Sequence, residues 1–159
     1  MLSSRSEWLS LTNRFGLTPL MVALMYGADV ALVRLLALLT FGATHTRADF
    51  RNGNCALHYA AQLHNADLVN ALLAAPTSDE HRLMRAFAND ERTSRQTETS
   101  TSYELAVRQH RQAVCAALKA RNYEGETPLH VAVRSSDPQI TCRLLNAGAD
   151  PCIEVIASV

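Results

Sequence analysis

Thr127-Pro128-Leu129-His130-Val131-Ala132 reads as the opening of a helix, and the chain says it more than once. Thr18-Pro19-Leu20-Met21-Val22-Ala23 nearly matches it, and Cys55-Ala56-Leu57-His58-Tyr59-Ala60 keeps its spacing. Thr101-Ser102-Tyr103-Glu104-Leu105-Ala106 is a faint fourth version. In the clearest copy Thr127 is the N-cap, and Pro128 takes the first helical position, where a missing N–H loses nothing. Leu129, Ala132 and Val133 then mark an apolar face. Ser135-Ser136-Asp137-Pro138 starts a second helix, with Ile140, Leu144 and Leu145 on its buried side and Gly148 as its stop. Such a unit, recurring every few tens of residues, is the mark of a solenoid. The functional question then concerns a surface and its partner rather than an active site.

The other units follow the same plan. In the second, Leu57, Ala60 and Ala61 line the first helix, His64-Asn65-Ala66-Asp67 makes the turn, and Leu68, Leu72 and Leu73 pack the second helix. The first unit turns at Gly27-Ala28-Asp29 and enters a helix from Val30 to Phe41, about one turn longer than its counterparts. The third offers Leu105, Ala106 and Val107, then Val114, Ala117 and Leu118.

These phrases resemble the ankyrin repeat, most clearly at Gly16-Leu17-Thr18-Pro19-Leu20, Gly53-Asn54-Cys55-Ala56-Leu57-His58 and Gly125-Glu126-Thr127-Pro128-Leu129-His130. Leu144-Leu145-Asn146-Ala147-Gly148-Ala149-Asp150 is close to that family's closing pattern. The resemblance covers roughly Arg14 to Pro151. It implies an all-α fold, a solenoid of stacked helix–turn–helix units with short or missing β-hairpin connections. The whole chain, 1–159, is then one domain with repeats near 14–43, 49–76, 98–121 and 123–150, and an insertion near 77–97.

Departures from the pattern are informative. Corresponding alanines are 37, 46 and 26 residues apart (Ala23, Ala60, Ala106, Ala132), against about 33 in the family. The short last interval leaves no room at Arg121-Asn122-Tyr123-Glu124 for a projecting finger, so a tight loop is expected there. The long middle interval holds an insertion in which Asp79 to Phe87 forms a short helix, with Leu83, Met84 and Phe87 on one side. The polar stretch from Asn89 to Ser102 reads as a loop, rich enough in Ser and Thr to accept phosphate or simply to stay solvated.

Catalysis finds no foothold. His58 and His130 follow Leu in the repeated phrase, where the resemblance implies structural hydrogen bonds between neighbouring loops; Met21 and Glu104 stand in their place elsewhere. His64 and His110 fall in inter-helix turns, and His45 and His81 have no cysteine or carboxylate at metal-site spacing. The glycines are turns and caps, not a phosphate loop. Neither catalytic residues, nor a metal, nor a cofactor is expected, and the chain reads as a non-enzyme. Cys55, Cys115, Cys142 and Cys152 form no C-x-x-C pair and suit a reducing, cytoplasmic setting. Fifteen basic residues balance fifteen acidic ones, so no field draws the chain to nucleic acid. Val30 to Phe41 is too short, and too interrupted by Arg34, to span a membrane.

The expected partner is another protein or peptide. Carried over in register, the resemblance implies a concave surface lined by hairpin fingers and first helices. It would present Met25 and Tyr26, then Gln62 and Leu63 with Tyr59 at the edge, then Arg108 and Gln109, then Arg134 and Ser135. The first finger would add His45, Arg47, Asp49, Phe50 and Arg51. Phe50 and Tyr26 stand equally open to a packing role. Running apolar to basic, the strip would suit a partner with an apolar anchor and an acidic stretch. A monomeric protein-interaction module is the leading reading. The alternatives are a structural spacer or self-associating unit, and a non-catalytic targeting arm of a larger signalling enzyme. Trp8 and Leu9 at one end and Ile153 to Val159 at the other are apolar, as caps or junctions to further repeats.

Overall fold

The structure, a computed structural model, describes residues 11–40, 44–88 and 99–155. Those residues form eight α-helices and no β-strand: α1 (Pro19–Met25), α2 (Val30–Leu39), α3 (Ala56–Gln62), α4 (Ala66–Leu73), α5 (Ser78–Ala88), α6 (Thr99–Lys119), α7 (Pro128–Arg134) and α8 (Pro138–Asn146). The all-α solenoid expected from the repeated phrase is what the chain builds.

Each first helix starts as its phrase dictates. Thr18 Oγ1 accepts the Met21 N–H, and Cys55 and Thr127 form reciprocal capping boxes with His58 and His130. Nine residues after each cap the backbone turns left-handed, at Gly27 (φ 66°), His64 (φ 51°) and Ser136 (φ 56°). Asn65 and Asp137 then cap the next helix through their side chains. A side chain is strained in that left-handed turn. Ser136→Gly should therefore stabilise the protein by about 0.5–1 kcal/mol, the left-handed penalty less glycine's extra unfolded-chain entropy. Thermal denaturation of the two proteins checks this.

α1 packs on α2, α3 on α4 and α7 on α8, and the pairs stack in one direction: α1 on α3, α3 on α7, α2 on α4, α4 on α8. Leu20, Leu24 and Val33 of the first pair, Leu57, Val69 and Leu72 of the second, and Ile140 and Leu144 of the last are all but fully buried. Fully burying each such side chain contributes roughly 1.5–3 kcal/mol. Ala60, Ala61 and Ala132 let the first helices approach closely. Val133 and Leu145, read as core, are exposed instead. Each lies one residue, or about 100° of helix, past a fully buried Ala132 or Leu144, while Val131 fills the core.

The third unit is corrected. Residues 98–121 do not make a helix–turn–helix pair: Thr99–Lys119 is one continuous helix. His110, nine places after Thr101, is helical where its counterparts turn, and Leu105 is exposed. The run from Ala106 to Ala113 has no Gly, Pro, Asn or Asp, and its Ala, Arg and Gln are good helix formers. The last pair accordingly packs directly on the second, leaving three stacked units and a helical insertion, α5 and α6, between the second and third. The expected longer helix in the first unit is also smaller than one turn. α2 has 10 residues against 8 in α4 and 9 in α8. Its expected end at Phe41 to Ala43 lies outside the described residues, as do Asn89 to Glu98 of the expected loop, Trp8, Leu9 and the terminal Ile156 to Val159; the remainder of that loop, Thr99 to Ser102, is instead the first turn of α6.

Arg34 fastens the insertion to the stack. Its guanidinium donates to the carbonyls of Ala71 (3.0 Å), Ala74 (2.6 Å) and Ala75 (2.9 Å), at the end of α4 where a cation suits the helix dipole. It also grips Glu80 of α5 through Nε–Oε1 at 2.9 Å and Nη2–Oε2 at 2.8 Å. Glu80 completes a capping box with Thr77. The Arg34 guanidinium, helped by the Thr77 N–H, holds the Glu80 carboxyl down at about 2. A depressed carboxylate stabilises the fold above its unfolded pKa of 4.5, and that contribution is lost as the pH falls toward 2. Glu80→Gln should lower stability by about 1 kcal/mol at pH 7 and by much less at pH 2.5, as urea titrations at the two values would show.

Candidate functional site

Three turns of chain rise beside the first helices, and each is organised by one side chain. Asn13 Oδ1 accepts the N–H groups of Phe15 and Leu17, and Asn122 Oδ1 those of Glu124 and Glu126. In the second turn, one residue longer, the Asp49 carboxylate accepts from Arg51, Asn52 and Asn54 at 2.7–2.9 Å and from the Tyr59 hydroxyl at 3.0 Å. Burial alone would push the Asp49 carboxyl up; these donors outweigh it and leave it lowered. Burial and the Asp49 carboxylate together push Tyr59 up to about 12.

The turns stack on one another. Phe50 N–H donates to the Phe15 carbonyl at 2.9 Å, and Tyr123 N–H donates to the Asn52 carbonyl at 2.8 Å. The Phe50 ring lies over Gly16 and the Tyr123 ring over Gly53, yet Phe50 remains 66% and Tyr123 61% exposed. The row of turns thus continues into the last unit even without a projecting finger. The connection at Asn122 to Gly125 is tight, as its length required, but it occupies the third place in the row.

One register position ties the first helices to this rim. Arg134 donates to Glu124 at 3.3 Å and Glu126 at 2.9 Å in the third turn. Met25 and Gln62 hold the equivalent positions, seven residues after their caps, and Tyr59 reaches the second turn through Asp49. Met25, Gln62, Tyr59 and Arg134 thus share the side of the stack that bears the turns. Tyr26, the C-cap residue of α1, is 85% exposed. Leu63 caps α3 and is half-buried against the core.

Two expected members do not join them. Arg108 is exposed on α6, in the insertion rather than in a repeat. His45, expected on the finger, is buried: its Nε2–H donates to the Leu72 carbonyl at 3.3 Å, and its ring meets His110 edge-on at 5.5 Å. The insertion helix covers it, and no local sequence signal announces that contact. Arg134 is not an available positive charge either, because two glutamates engage it. Tyr123, Phe15 and Arg14 were missed. Arg14 lies 4.7 Å over the Phe15 ring, and Tyr123 is legible only by aligning Asn122-Tyr123 with Asp49-Phe50.

Of the two histidines in the repeated phrase, His130 caps only its own helix, while His58 is also a joint between units. His58 Nδ1 accepts the Cys55 N–H at 3.1 Å, so its Nε2–H donates to the Glu126 carbonyl at 3.0 Å, bridging the second unit to the last. Burial pushes His58 below the usual histidine range despite that carbonyl. Its neighbour Cys55, 3.0 Å from Nδ1, is pushed up by burial, which keeps the thiol protonated. This pair is a cap, not a nucleophile and base. No cluster of three metal-ligating side chains occurs among the described residues, and no helix of theirs is long and apolar enough to cross a membrane. What the turn-bearing side exposes is aromatic rings, guanidinium groups and backbone.

Comparison with known proteins agrees with this construction. The family pattern described as ankyrin repeats (3 copies) matches residues 2–84, and that described as ankyrin repeat matches residues 124–154. All of α6 falls between the two matches. "Putative E3 ubiquitin-protein ligase XBAT31" of Arabidopsis thaliana is 35% identical over 142 residues, covering 89% of this chain and 25% of that protein. The match thus spans about a quarter of the length of this curated relative. Three stacked helix pairs and their capped phrases, together with both pattern matches, place this chain in the ankyrin-repeat family.

Proposed function

We propose that this chain is the protein-binding, non-catalytic arm of a larger ubiquitin-ligase-type signalling enzyme, engaging its partner on the concave side that bears the turns. The observation that carries this reading is the similarity along 89% of the chain to a much longer protein, of which the match covers 25%, named as a ligase. Repeat arrays use such surfaces for recognition. The exposed Phe50, Tyr123, Tyr26 and Met25 supply the kind of side chain that dominates binding hot spots. Four free cysteines suit a reducing compartment such as the cytoplasm.

The test starts from a display library of random sixteen-residue peptides selected on the immobilised chain. Recurrent peptides should emerge, and a Tyr26→Ala/Phe50→Ala variant with unchanged circular dichroism should lose them. Fused to a ubiquitin-ligase catalytic domain, the wild-type chain should then direct ubiquitin onto a carrier protein displaying a selected peptide, and the variant should not. Failure to select any peptide, or equal transfer by the variant, would overturn the reading. Sedimentation at rising concentration tests the competing self-associating unit, for which the mass would climb.

A further inference from the structure

Along the row of turns, charge is not shared evenly. The first two turns carry Arg14, Arg47 and Arg51, all exposed, and none of them has an ion-pair partner among the described residues. The carboxylate between them, Asp49, is 1% exposed and turned inward to three backbone N–H groups and Tyr59. Interleaved with these arginines are two exposed rings, Phe15 beneath the Arg14 guanidinium and Phe50 over Gly16. The third turn is different. Glu124 and Glu126 stand there, held by Arg134.

From this asymmetry, and resting on the reading just proposed, we infer that the first two turns receive a short acidic peptide segment carrying an aromatic or leucine anchor. The anchor packs against Phe15 and Phe50 while flanking carboxylates meet the arginines, which bind planar carboxylates bidentately. The third turn sets the limit. Its glutamates repel a continuing acidic run, so the segment is short and its charge lies at the N-terminal end of the row. A nucleic acid fits less well. The chain as a whole carries no net charge, and three guanidiniums fall below the six to ten phosphate contacts that typical salt-dependent DNA binding involves, about half at best.

The experiment follows amide resonances of the whole chain during titration with three probes: a twelve-residue peptide of Asp and Glu around a central Leu-Phe pair, its counterpart with Lys for every acid, and a twelve-nucleotide single-stranded RNA. The acidic peptide should shift residues 13–17 and 47–53. Arg14→Glu/Arg51→Glu should weaken it at least about tenfold at 0.1 M salt, and raising the salt should weaken it in the wild type. Both side chains are exposed and make no side-chain hydrogen bond among the described residues, and Arg14→Gln/Arg51→Gln serves as the milder second variant. Equal binding of the lysine peptide, shifts confined to other residues, or tighter binding of RNA would overturn the inference. The peptide library separates its failure from that of the broader reading. Selected peptides with no acidic enrichment overturn the acidic segment and leave the binding arm standing; no selected peptides overturn both.

Discussion

Gly53→Ala is expected to lower stability by about 2–4 kcal/mol, one of the largest losses available from a single added methyl group. Two effects combine. The backbone there is left-handed (φ 70°), which a Cβ opposes by roughly 1–2 kcal/mol. The new methyl would also sit 2.7 Å from Tyr123 Cδ1 and 3.0 Å from the Tyr123 backbone nitrogen. The ring can swing aside, but the nitrogen is fixed by its 2.8 Å hydrogen bond to the Asn52 carbonyl. Crowding of this kind costs typically 1–3 kcal/mol. Gly27→Ala is the control, because its φ is nearly the same (66°) and no atom lies within 4 Å of the added carbon. Urea denaturation should therefore show a loss for Gly53→Ala clearly exceeding that for Gly27→Ala. Equal losses would mean that the stacked turns yield freely.

His58→Ala should cost about 2–4 kcal/mol, whereas His130→Ala should cost about 1 or less. Both imidazoles cap their own helix, at 3.1–3.2 Å from the cap N–H, and losing a cap accounts for about 1 kcal/mol. Only His58 is fully buried and also donates across to the next unit. Its removal opens a cavity and takes a donor from the Glu126 carbonyl, each a further 1–3 kcal/mol at most. The pH dependence follows from the sign of the shift. Burial lowers the folded pKa of His58 and of His110 below 6.5, so the unfolded chain takes up protons first as the pH falls. Stability should decline from pH 7 toward pH 5, with a shallower slope in His58→Ala. Denaturation midpoints for the two mutants at pH 7.5, and for the first at pH 5.5, measure both effects.

How much of this was legible depends on how local the cause is. The caps at Thr18, Thr127 and Asp137, the left-handed positions at Gly27 and Gly148, and the alanines between closely packed helices are all consequences of a few neighbouring residues. They read directly. The third unit was misread because Thr101 to Ala106 mimics the phrase while the following residues lack a breaker. A missing stop signal was the clue, and it was outweighed by a resemblance at the start. The tight connection at Asn122 follows from the short interval to Ala132, and its place in the row from the pattern that Asn13-x-x-Gly16 and Asn122-x-x-Gly125 share. The burial of His45 and the use of Arg34 lay beyond local reading. Each is decided by a partner brought close only when the insertion docks.

Stacking the last helix pair on the second has a kinetic consequence. In an ordinary array each unit meets a neighbour about 33 residues away. Here the His58–Glu126 joint spans 68 residues, and the chain between must first be gathered in. A doubling of loop length adds only about 0.6 kcal/mol of closure entropy, so the native state is scarcely penalised. The barrier to reaching it is another matter, because rates fall as contacts become less local. The first two units are therefore expected to assemble before the last, whose contacts with the second close the longer loop.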